Sequence, residues 1–231
     1  MCISDYRRIA RENLSGNWKS AIGTAIVASL LGGLLTGASF LFSIRINLDE
    51  QGIRTIKEIF PHILEIATVT GAISSVLGIV SFILGGVIQL GYAKYLLKQH
   101  DHREPKFNDL FSMFDQFGAG FCQALLRGLY IFLWSLLFVI PGIVASYRYA
   151  MTPFIMAENP ELSASEAITL SKHMMNGRKW ELFCLDFSFI GWSILCGLTL
   201  NLGYIFLNPY CNAAHAAFYR NLTQQTPGDI L

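Results

Sequence analysis

The chain has 231 residues, 53% of them hydrophobic and only 14% charged, where a soluble domain carries about 25% charged residues. Seventeen Lys and Arg nearly balance sixteen Asp and Glu, for a net charge of +1 and a mean hydropathy of +0.44. These values exclude a disordered chain, a disulfide scaffold and a nucleic-acid binder, and they predict an all-α polytopic membrane helix bundle.

Taken in chain order, the first element is an amphipathic helix starting at Ser4, a good N-cap. Tyr6, Ile9, Ala10, Asn13 and Leu14 fall on one face, and Arg7, Arg8, Arg11 and Glu12 on the others. Gly16 ends it, and Trp18 stands where an interfacial aromatic belongs. Ser20 to Ile44 is charge-free for 25 residues and Ile66 to Ala93 for 28. About 20 residues cross the hydrocarbon core, so each stretch is one span. The apolar run is far longer than a signal-peptide core and predicts a retained anchor. Ser29, Gly33 and Gly37 repeat at four-residue spacing in the first span. Gly71 and Ser75, Ser74 and Gly78, and Ser81 and Gly85 do so in the second. Such spacing lets helix backbones approach closely, within the hairpin or in a homo-oligomer.

Lys94, Lys98, Arg103 and Lys106 mark 94–117 as cytoplasmic. Within it, Phe107, Leu110, Phe111 and Phe114 follow helical spacing and predict a second amphipathic helix over 108–115. Gly118 to Ala157 is 40 residues with Pro141-Gly142 near its middle. Two spans fit, turning at that pair; a re-entrant hairpin is the alternative. A third amphipathic helix starts at Ser163, where Glu166 completes a capping box and Gly177 provides the stop. Trp180 to Tyr219 gives another 40 residues, turning near Gly197 to Gly203.

The spans are therefore six, near 20–44, 66–93, 118–140, 142–157, 180–198 and 202–220, in three hairpins. Each hairpin is preceded by a cytoplasmic interfacial helix. The basic N-terminus and the mixed-charge 45–65 loop place both termini in the cytoplasm. Leu14-Ser15-Gly16-Asn17-Trp18-Lys19 resembles Met175-Asn176-Gly177-Arg178-Lys179-Trp180, which suggests a repeated unit; general use of Gly, Trp and Lys at span entrances explains the same pattern. The basic interfacial helices offer a surface for anionic lipid, although the positive-inside rule alone also accounts for them.

The residues name no substrate and no reaction. There is no phosphate-binding glycine loop, no zinc-protease motif and no nucleophile elbow. His100-x-His102 reads as a solvated loop rather than a metal site. The five cysteines include no C-x-x-C pair and read as packing residues. Neither a cofactor nor a catalytic residue is expected.

Arg148 is the costly residue. It lies roughly 13 Å from the cytoplasmic end of its span, counting 1.5 Å per residue, and a central Arg costs about 2.5–3.5 kcal/mol on insertion scales. Asp186 lies roughly 9 Å deep by the same count, so an Arg148–Asp186 pair is predicted. It is either a structural tie between hairpins or part of a polar cavity with Tyr147, Tyr149, Gln89, Asn208, Asn212 and His215.

The chain also resembles a known family. The motifs are Ala10-Arg11-Glu12-Asn13-Leu14 with Gly16 and Trp18, and Phe107-x-Asp109-Leu110-Phe111 with Phe114. Further along are Phe132-Leu133-Trp134-Ser135, Ile140-Pro141-Gly142-Ile143 running into Tyr147-Arg148-Tyr149, and Asn159-Pro160. The last are Ser165-Glu166-Ala167-Ile168, Ser171, Gly177, Trp180-Glu181-Leu182-Phe183, Pro209-Tyr210 and Ala217-Phe218-Tyr219-Arg220. Together they resemble the bacterial integral-membrane family known as domain of unknown function 975. The interfacial-helix block is also similar to membrane domains of some glycerophosphodiester phosphodiesterases, whose soluble catalytic domain has no counterpart here. The resemblance implies a bacterial cytoplasmic membrane and supplies no activity. The resulting expectation is a non-enzymatic lipid- or partner-binding module. The alternatives are a small transporter or channel for an anionic solute around Arg148, and an intramembrane enzyme using Asp186, Glu158 or His215.

Overall fold

The computed structural model describes residues 3–32, 83–199 and 203–225, and among them every regular element is helical. Helix α1 is Ile3–Leu14 and α2 is Trp18–Gly32. Helix α3 covers 83–100 of the described chain. Two 3-10 turns, Phe107–Leu110 and Phe114–Gln116, lead into α4, Phe117–Leu137. Then come α5 (Val139–Arg148), α6 (Thr152–Glu158), α7 (Ala164–Met174), α8 (Lys179–Phe187), α9 (Ile190–Leu198) and α10 (Tyr204–Gln225).

Two stretches, Phe107–Leu137 and Lys179–Gly197, are long and apolar enough to cross a membrane. The expected 45–65 loop lies outside the described residues. So do the small-residue repeats, apart from Ser29 and Gly85.

Helix α10 is the axis of the fold. Its Ala213, Ala214, Ala216, Ala217, Phe218, Tyr219 and Leu222 are all buried. The alanines leave little side chain between backbones, and α1, α2, α8 and α9 all pack on this helix. The N–H that Pro209 lacks falls inside it.

Protein covers the apolar faces of the amphipathic helices α1 and α7. In α1 the apolar face, Tyr6, Ala10 and Leu14, is at most 2% exposed and packs along α10. Tyr6 meets Phe218 at 5.4 Å, and its hydroxyl accepts from Asn221 at 2.6 Å. In α7, Ala164, Ala167, Ile168, Ser171 and Met174 are buried, and the helix packs on α4 and α6. An amphipathic pattern states that one face is covered, not what covers it. The expected second helix over 108–115 is also replaced, by the two 3-10 turns. Leu110 is buried there, while Phe107, Phe111 and Phe114 stay exposed in one aromatic cluster with ring centroids 5.8 Å apart.

The middle hairpin turns three residues earlier than expected. Phe138 is extended (φ −161°, ψ 153°) and separates α4 from α5. Pro141 then falls in the first turn of α5, where a missing N–H costs nothing. Gly142 serves close packing instead, because a Cβ there would collide with Ser135 of α4. Helix α5 has only ten residues, roughly 15 Å, and the chain breaks again at Tyr149–Met151 before α6.

Gly16 (φ +88°) and Gly177 (φ +76°) are both left-handed. Each follows an amphipathic helix and precedes the next helix by one or two residues. The two sequence blocks thus share a local conformation, which an L side chain adopts only with strain. The Ser163 cap is the expected box: its N–H donates to Glu166 Oε2 at 2.8 Å, and Glu166 N–H donates back to Ser163 Oγ at 3.4 Å.

Leu14→Ala should lower the stability of the detergent-solubilised protein by about 2–5 kcal/mol, the cost of a cavity in a packed core. An unchanged melting temperature would mean that α1 leaves the body for lipid. The Ser163 hydroxyl and N–H hold the Glu166 carboxyl below its ordinary value. A depressed carboxyl stabilises the fold above its unfolded pKa and stops doing so as pH falls through the folded one. Glu166→Gln should therefore melt earlier than the parent at pH 7, and the difference should vanish in acid.

Candidate functional site

The expected Arg148–Asp186 pair does not form. Asp186, near the end of α8, accepts instead from His215 Nε2 of α10 at 2.6 Å. Linear depth counting assumes unbroken helices, whereas α8 stops at Phe187 and a turn at Ser188–Phe189 precedes α9. Arg148 ends α5; its carbonyl accepts from Ser171 Oγ at 3.0 Å, and its Nε has no hydrogen-bond partner.

The expected polar site is brought together in part. The Tyr147 hydroxyl faces the Asp186 carboxylate, so Tyr147, Asp186 and His215 come together; the Tyr147 ring packs edge-on against Phe183 of α8 at 5.9 Å, while Tyr149 packs apart, on Tyr130 of α4, at 5.8 Å. Asn212 Nδ2 donates to the Asn208 carbonyl within α10 at 2.8 Å. Gln89 belongs to a different contact: its Oε1 accepts from Arg127 Nη2 at 3.0 Å, joining α3 to α4. One turn before Arg127, Gln123 is fully buried with both amide atoms unpartnered. Here α3 and α4 approach so closely that a Cβ on Gly86 would run into the Gly120 carbonyl.

The polar groups that do converge form a collar around the ends of α1, α3, α6, α8 and α10. Its centre is Arg220. One guanidinium nitrogen donates to Glu158 of α6 at 2.5 Å, and the other to Asp101, just after α3, at 2.5 Å. Tyr219 Oη donates to the second Glu158 oxygen at 2.7 Å. Burial holds His100 below its ordinary pKa, so its ring beside Asp101 is neutral at pH 7 and Arg220 supplies the positive charge. Arg178 links α8 to α10 by donating to Glu181 at 2.9 Å and Gln225 at 2.5 Å. Tyr210 Oη donates to the Arg7 carbonyl at 3.3 Å, and the Arg7 guanidinium lies 5.6 Å from the Phe189 ring centroid.

A second polar group holds the loop after α3. Asp109 accepts from Lys98 Nζ at 2.5 Å and from the Lys106 N–H at 2.9 Å. Gln99 Nε2 donates to the Asn13 carbonyl at 3.2 Å, tying the last turn of α3 to the end of α1. Between them lies a cleft of about 490 Å³ whose wall is mainly polar.

Sequence reading selected none of Asp101, Gln99 and Arg220 as site residues. Their partners stand 119, 86 and 62 residues away along the chain, beyond any local spacing rule. The available signals were Asp109 inside the Phe107-x-Asp109-Leu110-Phe111 motif and Arg220 at the end of Ala217-Phe218-Tyr219-Arg220. Among the described residues no group of three or more His, Cys, Asp or Glu is placed to hold a metal ion. The described cysteines Cys122, Cys184, Cys196 and Cys211 are unbridged.

Comparison with known proteins gives one match. A family model matches residues 1–146 and again 136–226, and it is described only as a protein of unknown function, DUF975. No curated protein and no solved structure matches, and the similarity to glycerophosphodiester phosphodiesterase membrane domains is not shown.

Arg220→Ala should destabilise the protein by about 2 kcal/mol. That lies between the value of an exposed pair and the loss from breaking a buried one, because the guanidinium is 18% exposed and its partners 26–33%. Arg148→Ala, which breaks no ion pair among the described residues, should cost less in the same thermal melt.

Proposed function

The chain belongs to the DUF975 family, and we propose that it is a multi-pass protein of a bacterial cytoplasmic membrane that binds lipid or a partner membrane protein through its cytoplasmic collar. It carries no catalytic chemistry of its own. The supporting observation is the separation of two surfaces. Leu136, Phe138 and Ile140 on the α4–α5 hairpin are 71–75% exposed, and Ile194 and Leu195 on α9 are more than half exposed. Contiguous apolar surface of this kind needs lipid or protein to cover it. The ion pairs of Arg220 with Asp101 and Glu158, and of Lys98 with Asp109, make a separate polar surface. The exposed Phe107, Phe111 and Phe114 cluster, next to Asp109 in the chain, adds an apolar patch that lipid or a partner can cover.

The carboxylates that an enzyme would use are already committed. Glu158 is held by Arg220 and Tyr219, and Asp186 by His215. A transporter for an anionic solute is the second reading. It draws on Arg127, whose guanidinium meets the neutral Gln89, and on the unpartnered Gln123, more than on Arg148.

In six spans both termini are cytoplasmic. Alkaline carbonate should leave the protein in the membrane fraction, and a C-terminal reporter active only outside the cell should stay silent. Release by carbonate would end the integral reading, and an active reporter would end the six-span topology.

A further inference from the structure

Arg148 closes α5 as a cation without an anion. Among the described residues no carboxylate lies within ion-pair distance of its guanidinium: Asp186 is taken by His215, Glu181 by Arg178 and Glu158 by Arg220. The residue is half-buried; its Nε is covered and unpartnered, but the two Nη nitrogens at its tip are not covered. The Arg148 carbonyl is already satisfied by Ser171 Oγ at 3.0 Å, so the open need is at the guanidinium. A partly desolvated cation without a counter-charge is costly, most of all in a membrane protein.

The surroundings narrow the anion. Ile140, Val144 and Arg148 repeat at four-residue spacing and share one face of α5. Ile140 and Val144 are exposed, so Arg148 stands at the end of an open apolar stripe. The adjacent stripe, Ile143 and Tyr147, reaches α8 through the contact of Tyr147 with Phe183. On α8, Trp180, Phe183 and Phe187 follow one another with ring centroids 5.1 and 6.1 Å apart, and Trp180 is 71% exposed.

The same contacts set the level of the guanidinium. Ser171 brings the end of α7 to Arg148, and Phe183 brings the first turns of α8 to its neighbour Tyr147. Lys179 opens Lys179–Gly197, one of the two stretches long and apolar enough to cross a membrane, and the exposed Trp180 follows it. Tryptophan at the end of a span marks the interface. Lys172, exposed directly after Ser171, and Lys179 add two cations that pair with no carboxylate among the described residues. Cations at the end of a span, beside an open apolar stripe, suit an anion that carries an apolar tail. The planar fork of arginine matches the oxygens of a phosphate.

We propose that Arg148, with Lys172 and Lys179 beside it, holds the phosphate of an anionic phospholipid whose acyl chain lies along Ile140 and Val144. The proposal rests on the lipid-binding reading of the collar, which reaches α8 at Arg178, and gives that reading a headgroup charge and a place. A zwitterionic lipid carries its own ammonium beside the phosphate and gains less from the three cations.

The test uses the purified full chain in detergent. Native mass spectrometry follows binding of phosphatidylglycerol and of phosphatidylcholine with the same acyl chains. Phosphatidylglycerol should bind about ten-fold more tightly, and Arg148→Gln should bring the two lipids within about two-fold of each other. Arg148→Lys should keep part of the preference, because a point charge replaces the fork. Lys172→Gln/Lys179→Gln, at more open positions, should weaken the preference at an unchanged melting temperature. Arg103→Gln, which removes an exposed arginine after α3, should leave it intact. If Arg148→Gln melts early, the lysine pair decides, and an undiminished preference there overturns the site. An equal preference in Arg148→Gln and the parent, or the same loss in Arg103→Gln, overturns the proposal and leaves lipid binding standing. Equal binding of the two lipids by the parent does the same. Displacement of phosphatidylglycerol by soluble glycerol phosphate at matching concentration overturns the lipid as occupant in favour of a free phosphate. Binding of neither lipid overturns both the proposal and the lipid-binding reading.

Discussion

The guanidinium of Arg220 holds the collar end of this fold together. It is the meeting point of three segments far apart in the chain: the end of α3 through Asp101, the end of α6 through Glu158, and α10 itself. Two carboxylates brought together without a cation would repel each other, and partial burial would raise the cost. The planar fork of an arginine meets both at once, which the single ammonium of a lysine does less well. With α10 fixed in this way, its alanine-rich face sets how closely α1 and α2 approach. The neighbouring Tyr219 closes the remaining Glu158 oxygen. Much of the collar is a consequence of that junction.

Local features of this fold were legible where they depend on a few consecutive residues. The Ser163–Glu166 box, the glycine stops at 16 and 177 and the apolar faces of α1 and α7 all obey short-range spacing. The identity of what covers those faces was not legible. A helix with one apolar face looks the same whether lipid or α10 covers Tyr6 and Leu14. Pro141-Gly142 misled for a related reason. Proline and glycine punctuate turns, but each also has a use just inside a helix, and here Phe138 takes the extended conformation instead. The Arg148–Asp186 expectation failed because depth was counted along unbroken helices. The breaks after Arg148 and Phe187 remove the premise, and His215 takes the carboxylate.

The functional side chains are the least legible part. Gln99 carries no motif, and Arg220 ends the Ala217-Phe218-Tyr219-Arg220 block without any sign there of its partners. Their importance arises only when residues 86 and 62 positions away fold against them. Asp109 is intermediate: it sits within a recognisable aromatic motif, yet its effect, pinning Lys98 and Lys106 and so shaping the cleft wall, is tertiary.

Specificity in a protein of this composition resides where water competes. Between helices surrounded by lipid there is little hydrophobic drive, because lipid tails are as apolar as leucine. Contact there depends on close approach, as at Gly86–Gly120 and at Gly142 against Ser135, and such contacts say little about function. On the proposed membrane reading, Tyr6 and Leu14 lie outside the hydrocarbon, where their burial is favourable again and hydrogen bonds must compete with water. A polar group buried there and left unpartnered, as Gln99 Oε1 is, stands out against that competition. On that reading the collar end is where the structure is most narrowly specified, and it is where recognition of a headgroup or a partner can be built.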